Sequence, residues 1–149
     1  MLSKGATTWW ERWNGDTGDP ALNSYNHYAF GSVVAWVYRS VAGIDTDTAA
    51  PGYKEIIIHP RPDGPDARIT HARGEYDSVY GPIVSDWSGT VSGPFKLKVN
   101  IPANTSAKVF LPAIPNAHVT QDGRRVNAQR ESDSFVIRLG SGSYELEVH

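Results

Sequence analysis

Cysteine is absent from the 149 residues. No disulfide framework, thiol nucleophile or thiolate metal ligand is therefore available, which fits a reducing compartment without requiring one. Long apolar runs are missing too: none approaches the roughly 20 residues that span a bilayer, so no membrane partner is expected. Excess charge of either sign is lacking, with 14 Lys and Arg against 16 Asp and Glu and a net charge of −2. That balance gives no reason to expect nucleic acid or an anionic membrane as partner. The five histidines are scattered, no two at i, i+3 or i+4, and no metal site is predicted. Neither a Gly-x-Ser-x-Gly elbow nor a phosphate loop occurs, and no cofactor is implied. Met1-Leu2-Ser3-Lys4-Gly5 has no signal-peptide hydrophobic region, which leans toward the cytoplasm and leaves the compartment open.

What is present is aromatic weight, five Trp and seven Tyr against one Met. The length suits one good core, or one domain with a piece of another. Three indoles and one carboxylate crowd into Thr7-Thr8-Trp9-Trp10-Glu11-Arg12-Trp13-Asn14. Burial among rings raises a carboxylate's proton affinity and a neighbouring cation lowers it, so this is where an acid or base could be tuned. Flat indoles also suit the C–H face of a sugar in a concave site with few polar groups. The plainer alternative is a tryptophan core beside a solvated Glu–Arg pair.

Turn formers fill Asn14 to Pro20, and Asn23 or Ser24 can cap a helix running from Tyr25 to Ala42, closed by Gly43. Tyr25, Ala29, Val33, Trp36, Val37 and Val41 share one face, which Phe30 and Val34 widen. Gly31 and Ser32 predict close approach of another segment. No second helix is evident, so this apolar face is short of partners within the chain.

Beyond Gly43-Ile44-Asp45 and a connector at 46–52 the period changes. Strands are predicted at 53–59, 69–76, 82–88, 95–101 and 107–111, around an Asp122-Gly123 hairpin, and at 135–139 and 144–148. The fold class expected is mainly β: an antiparallel β-sandwich, jelly-roll-like, preceded by a loop and one long α-helix. Asn104-Thr105-Ser106 matches a glycosylation sequon, which carries no weight without a secretory context.

Glycoside hydrolysis needs two carboxyl groups, about 6.5–9.5 Å apart where a water must fit between carboxylate and sugar. Glu11 is the carboxylate that fits, with Arg12 beside it to hold it ionised as a base. Asp16 and Asp19 read as turn residues. His27, in the first helical turn, could donate to a sugar hydroxyl or could simply be a satisfied histidine at a helix start.

Two blocks carry a resemblance. Ala6-Thr7-Thr8-Trp9-Trp10-Glu11-Arg12-Trp13, followed by the run from Asp19 to Val33 that contains Asn26-His27-Tyr28, is similar to the end of the catalytic domain of bacterial α-L-rhamnosidases. Trp36-Val37-Tyr38-Arg39, Ala42-Gly43-Ile44, Pro51-Gly52-Tyr53-Lys54, Pro60-Arg61-Pro62 and Gly81 to Trp87 resemble the same family's passage into its C-terminal β-sandwich.

The resemblance implies an inverting hydrolase that removes terminal α-L-rhamnose, with catalysis in an (α/α)6 barrel. It implies Glu11 as general base, Trp10 and Trp13 as pocket walls, and His27 as a contact to sugar hydroxyls. No role passes to Trp9, which stands where the family often has an aliphatic residue. The family's general acid lies N-terminal to everything in this chain. Residues 1–45 are then a remnant of the barrel and 46–149 the β-sandwich, a C-terminal fragment expected to be inactive alone. Its expected partners are a rhamnose-containing glycoside and the remainder of the barrel. The rival readings are a non-catalytic β-sandwich that binds carbohydrate or supports another domain, and self-association through the exposed helix.

Overall fold

A computed structural model describes residues 1–14, 16, 17, 24–62 and 68–149. The chain divides into two compact units, Met1–Trp36 and Val37–His149.

The first unit opens with a single 3₁₀ turn, Leu2–Lys4, and closes with two short helical turns, α1 (Tyr28–Gly31) and α2 (Val33–Trp36). The expected helix start at Tyr25 is thus three residues early. His27 stands at the N-cap in an extended conformation rather than in the first turn, and its side chain makes no capping bond. Ser24 precedes a bend at Tyr25 and Asn26, and Asn23 and Asp19 lie outside the described residues. Ser32 interrupts the helix: its hydroxyl donates to Ala29 O at 2.6 Å, the local competition with helical bonding that disfavours serine mid-helix. The close approach expected at Gly31 is not tight, since a Cβ there would meet only Trp9 Cδ1, at 4.0 Å. Among the described residues this unit has no buried hydrophobic side chain, and Val33, Val34 and Trp36 are about half exposed.

The second unit begins with a π-helical turn, Val37–Ala42, whose Ser40 and Ala42 are buried. Gly43 ends it at φ 78°, the left-handed C′ position predicted for it. Among the described residues eleven strands follow. One sheet runs β1 (Ile44–Thr46), β2 (Glu55–Ile58), β6 (Ser106–Pro112), β10 (Ser134–Leu139), β9 (Gln129–Glu131). The other runs β3 (His71–Ser78), β4 (Gly81–Gly89), β5 (Phe95–Ile101), β11 (Gly142–Val148), β7 (Val119–Gln121), β8 (Arg124–Val126). Among the described residues pairings are antiparallel except β2 with β6, where Ile56 lies opposite Ala107 in parallel register.

Alternation builds the core. On β5 Phe95, Leu97, Val99 and Ile101 point inward and Lys96 and Lys98 outward, as a half-buried strand requires. They meet Ile56, Ile58, Val109 and Leu111 of the opposite sheet in one continuous cluster. The predicted Asp122-Gly123 hairpin is present, with φ 50° and 76°, joining β7 to β8. Gly43 packs so closely that a Cβ would sit 2.2 Å from Pro60 N.

The outer face of β5 and β11 carries ion pairs across the register. Lys96 lies opposite Glu147, Nζ to Oε1 at 2.6 Å. Hydrogen bonding to Lys96 holds the Glu147 carboxyl below its ordinary range, and the same bond raises Lys96. A depressed carboxyl contributes stability above its unfolded pKa that is lost as pH falls through the folded one. The raised lysine contributes below its unfolded pKa and loses it as pH rises through the folded value. Glu147→Gln is therefore expected to lower the melting temperature slightly at about pH 6 and to leave it unchanged near pH 2, flattening the acid limb between them. An unaltered acid limb would disprove it.

Candidate active site

The residues singled out from sequence lie in the first unit, on two stretches that run against each other. The Glu11 N–H donates to Ser24 O at 2.7 Å, and the His27 N–H donates to Trp9 O at 2.7 Å. The Thr8 hydroxyl donates to Tyr25 O. These bonds bring Trp10, Glu11 and His27 onto one paired segment.

The Glu11 carboxylate is half-buried and accepts the Ser24 N–H at Oε2, 2.9 Å away. Arg12 was expected to hold it, yet among the described residues no Glu11–Arg12 ion pair forms; a backbone amide positions the carboxylate instead. Trp10 meets Tyr25 edge to face, with centroids 5.3 Å apart and planes at 90°, an arrangement that complements ring quadrupoles. The half-buried His27 imidazole stacks on Tyr28 at 5.8 Å with planes 3° apart. Asp16 is committed elsewhere than its own turn: it pairs with Lys4, whose hydrogen bond lowers its pKa.

Trp13 stands apart, 76% exposed. With Trp9, Leu2, Ala6, Thr7 and Thr8 it lines a largely apolar groove of about 700 Å³. In the sequence Trp9, Ser24 and Tyr25 have no part in the site: Ser24 reads there as a helix cap and Tyr25 as part of a helix face. Trp9 and Ser24 act here partly through main-chain atoms, which leave no side-chain signature; the edge contact of Tyr25 was foreshadowed only by its place beside the Asn26-His27-Tyr28 block. Among the described residues no group of three His, Asp or Glu side chains could hold a metal ion.

Comparison with known proteins finds matches to two parts of the chain. Residues 1–41 match the bacterial alpha-L-rhamnosidase 6 hairpin glycosidase domain. Residues 43–125 match the bacterial alpha-L-rhamnosidase C-terminal domain. An α-L-rhamnosidase of Streptomyces avermitilis is 40% identical over 99% of this chain, which spans 14% of that protein's length. The crystal structure of Streptomyces avermitilis α-L-rhamnosidase complexed with L-rhamnose superposes with a TM-score of 0.77 at 39% identity, covering 99% of this chain and 14% of the other. That of α-L-rhamnosidase from Dictyoglumus thermophilum gives 0.82 at 32% identity, covering 100% and 17%. The chain belongs to the bacterial α-L-rhamnosidase family.

Proposed function

We propose that this chain is the C-terminal part of an inverting α-L-rhamnosidase and supplies its general base, Glu11. Residues 1–41 are the end of the catalytic barrel, and the β-sandwich begins with β1 at Ile44, two residues before the start at 46 expected from the sequence. The observation that carries this reading is the Glu11 carboxylate, fixed at one oxygen by the Ser24 amide and flanked in sequence by Trp10 and Trp13. Fixing one oxygen leaves the other to accept a proton from water. That water attacks the anomeric carbon opposite the leaving group, while a carboxylic acid outside this chain protonates the departing oxygen. Trp10 and Trp13 give the rhamnose ring and its methyl group an apolar wall, and His27 meets a hydroxyl.

The chain's place in a larger enzyme is supported by its first unit, which buries no hydrophobic side chain of its own among the described residues. An element apolar on so wide a face takes its stability from partners. The supporting-module reading has its own observation, the closed core of the second unit, and is adopted for that unit alone.

The test is turnover. The 149-residue chain is expected to leave 4-nitrophenyl α-L-rhamnoside untouched. An intact enzyme carrying this segment should release β-L-rhamnose as the first-formed anomer, read by NMR before mutarotation. Hydrolysis by the isolated chain, or retention of configuration, would overturn the proposal.

A further inference from the structure

A second concavity lies wholly in the β-sandwich. The segment that leaves β2 at His59 is pinned by two backbone bonds, the His59 N–H to Gly43 O at 2.7 Å and the Arg61 N–H to Ser40 O at 3.1 Å. Pro60 and Pro62 are buried and stiffen it. Its path past β6 and β10 leaves a cleft of about 510 Å³, with His59, Arg61, Val91, Phe110, Pro112 and Asp133 among its walls. That volume falls inside the roughly 300–1,000 Å³ of small-ligand sites.

The walls have a definite chemistry. His59 stacks on Phe110, centroids 4.6 Å apart and planes at 21°. With the prolines and Val91 they make a rigid apolar surface. Three polar groups converge on it. His59 is held toward its neutral form, first by burial and then by the Arg61 charge, with Asp133 opposing. Among the described residues the Arg61 guanidinium makes no hydrogen bond and no ion pair, so its donors remain for a ligand. Asp133 is fixed by its neighbours: its carbonyl accepts the Ala113 N–H at 2.8 Å, and its Oδ1 accepts the Ser134 hydroxyl at 3.3 Å. The nearby Lys108 is neutralised by Glu131 at 3.1 Å.

We propose that this cleft is a binding site for a neutral sugar ring, separate from the Glu11 segment. Flat apolar walls take the C–H face of a pyranose. Arg61 offers donors and Asp133 acceptors for its hydroxyls, and charge-assisted bonds of this kind are the stronger ones. The charges cancel, so an anion gains nothing over an uncharged ring. The role is to hold a sugar of a glycoside chain on the sandwich, and it requires no catalytic group.

The experiment titrates the full chain with L-rhamnose and follows the His59 ring signals by NMR, assigned through His59→Gln. Saturable shifts with a millimolar Kd are expected. Arg61→Ala and Asp133→Asn should each weaken binding about tenfold or more, the cost of a lost charge-assisted hydrogen bond. Glu11→Gln and Trp13→Ala should leave the His59 titration unchanged, which separates this site from the proposed catalytic segment. Circular dichroism confirms that each variant is folded, and Asp133→Asn preserves shape if Arg61→Ala does not fold. Absence of saturable shifts in the wild-type chain would overturn the proposal. So would unchanged affinity in a folded Asp133→Asn variant, or tighter binding of D-glucuronate than of L-rhamnose.

Discussion

Glu11→Gln, made in an intact enzyme that carries this segment, is expected to lower kcat on an aryl α-L-rhamnoside about 10²–10⁴-fold with little change in KM. Glutamine keeps the size of the side chain, and its amide oxygen can still accept the Ser24 N–H that now meets Glu11 Oε2 at 2.9 Å. What is lost is the oxygen able to take a proton from water. In barrier height the fall corresponds to about 3–5 kcal/mol. Because the base acts on water and not on the sugar, binding should survive, and the loss belongs in kcat. Glu11→Asp is the companion variant. It keeps a base but withdraws it from both the Ser24 amide and the water, so it should recover only part of the rate. Steady-state kinetics decide the matter, and a kcat within a few-fold of wild type for Glu11→Gln would remove Glu11 from the mechanism.

How much of this was legible beforehand differs by element. β5 was readable to the residue, because Phe95 to Ile101 alternates strictly and nothing competes with that pattern. The β7–β8 hairpin was readable because Asp122-Gly123 favours the positive φ that a two-residue turn needs. β1 shows no strand signal in the sequence: three residues, Ile44 to Thr46, are too few to display a period, and only pairing with β2 makes them a strand. β9 is Gln129-Arg130-Glu131, polar throughout, and its strand character comes from β10. Parallel pairing of β2 with β6 is a property of chain path, which no local pattern encodes. The predicted single helix from Tyr25 became α1, α2 and a π-turn, since Ser32 can bond backward to Ala29 O. In the candidate site, Glu11, Trp10, Trp13 and His27 rested on spacing and resemblance. The bonds through Ser24 and Trp9 pass through peptide groups that every residue carries, so side-chain patterns could not reveal them.

Trp87→Ala should be the most damaging core substitution, destabilising the chain by about 3–5 kcal/mol. Trp87 lies on β4, 1% exposed, and its ring stacks on Phe95 at 5.7 Å. Its Nε1–H donates to Val41 O at 2.7 Å, and two residues earlier the Ser85 hydroxyl donates to Ala42 O at 2.7 Å. Both acceptors are carbonyls at the end of the π-turn, groups that a helix terminus leaves without internal partners. The indole therefore fills the core and satisfies a part-buried acceptor at once, and alanine removes both functions. Trp87→Phe separates them. It retains most of the ring and should lose only about 1–3 kcal/mol, the cost of leaving the Val41 carbonyl without its donor. Denaturant midpoints at constant m-value measure the two losses. If Trp87→Ala cost no more than Ser85→Ala, the indole would not be an organising side chain of the core. Its link to Val41 would then be incidental to how the sandwich holds the segment that follows Trp36.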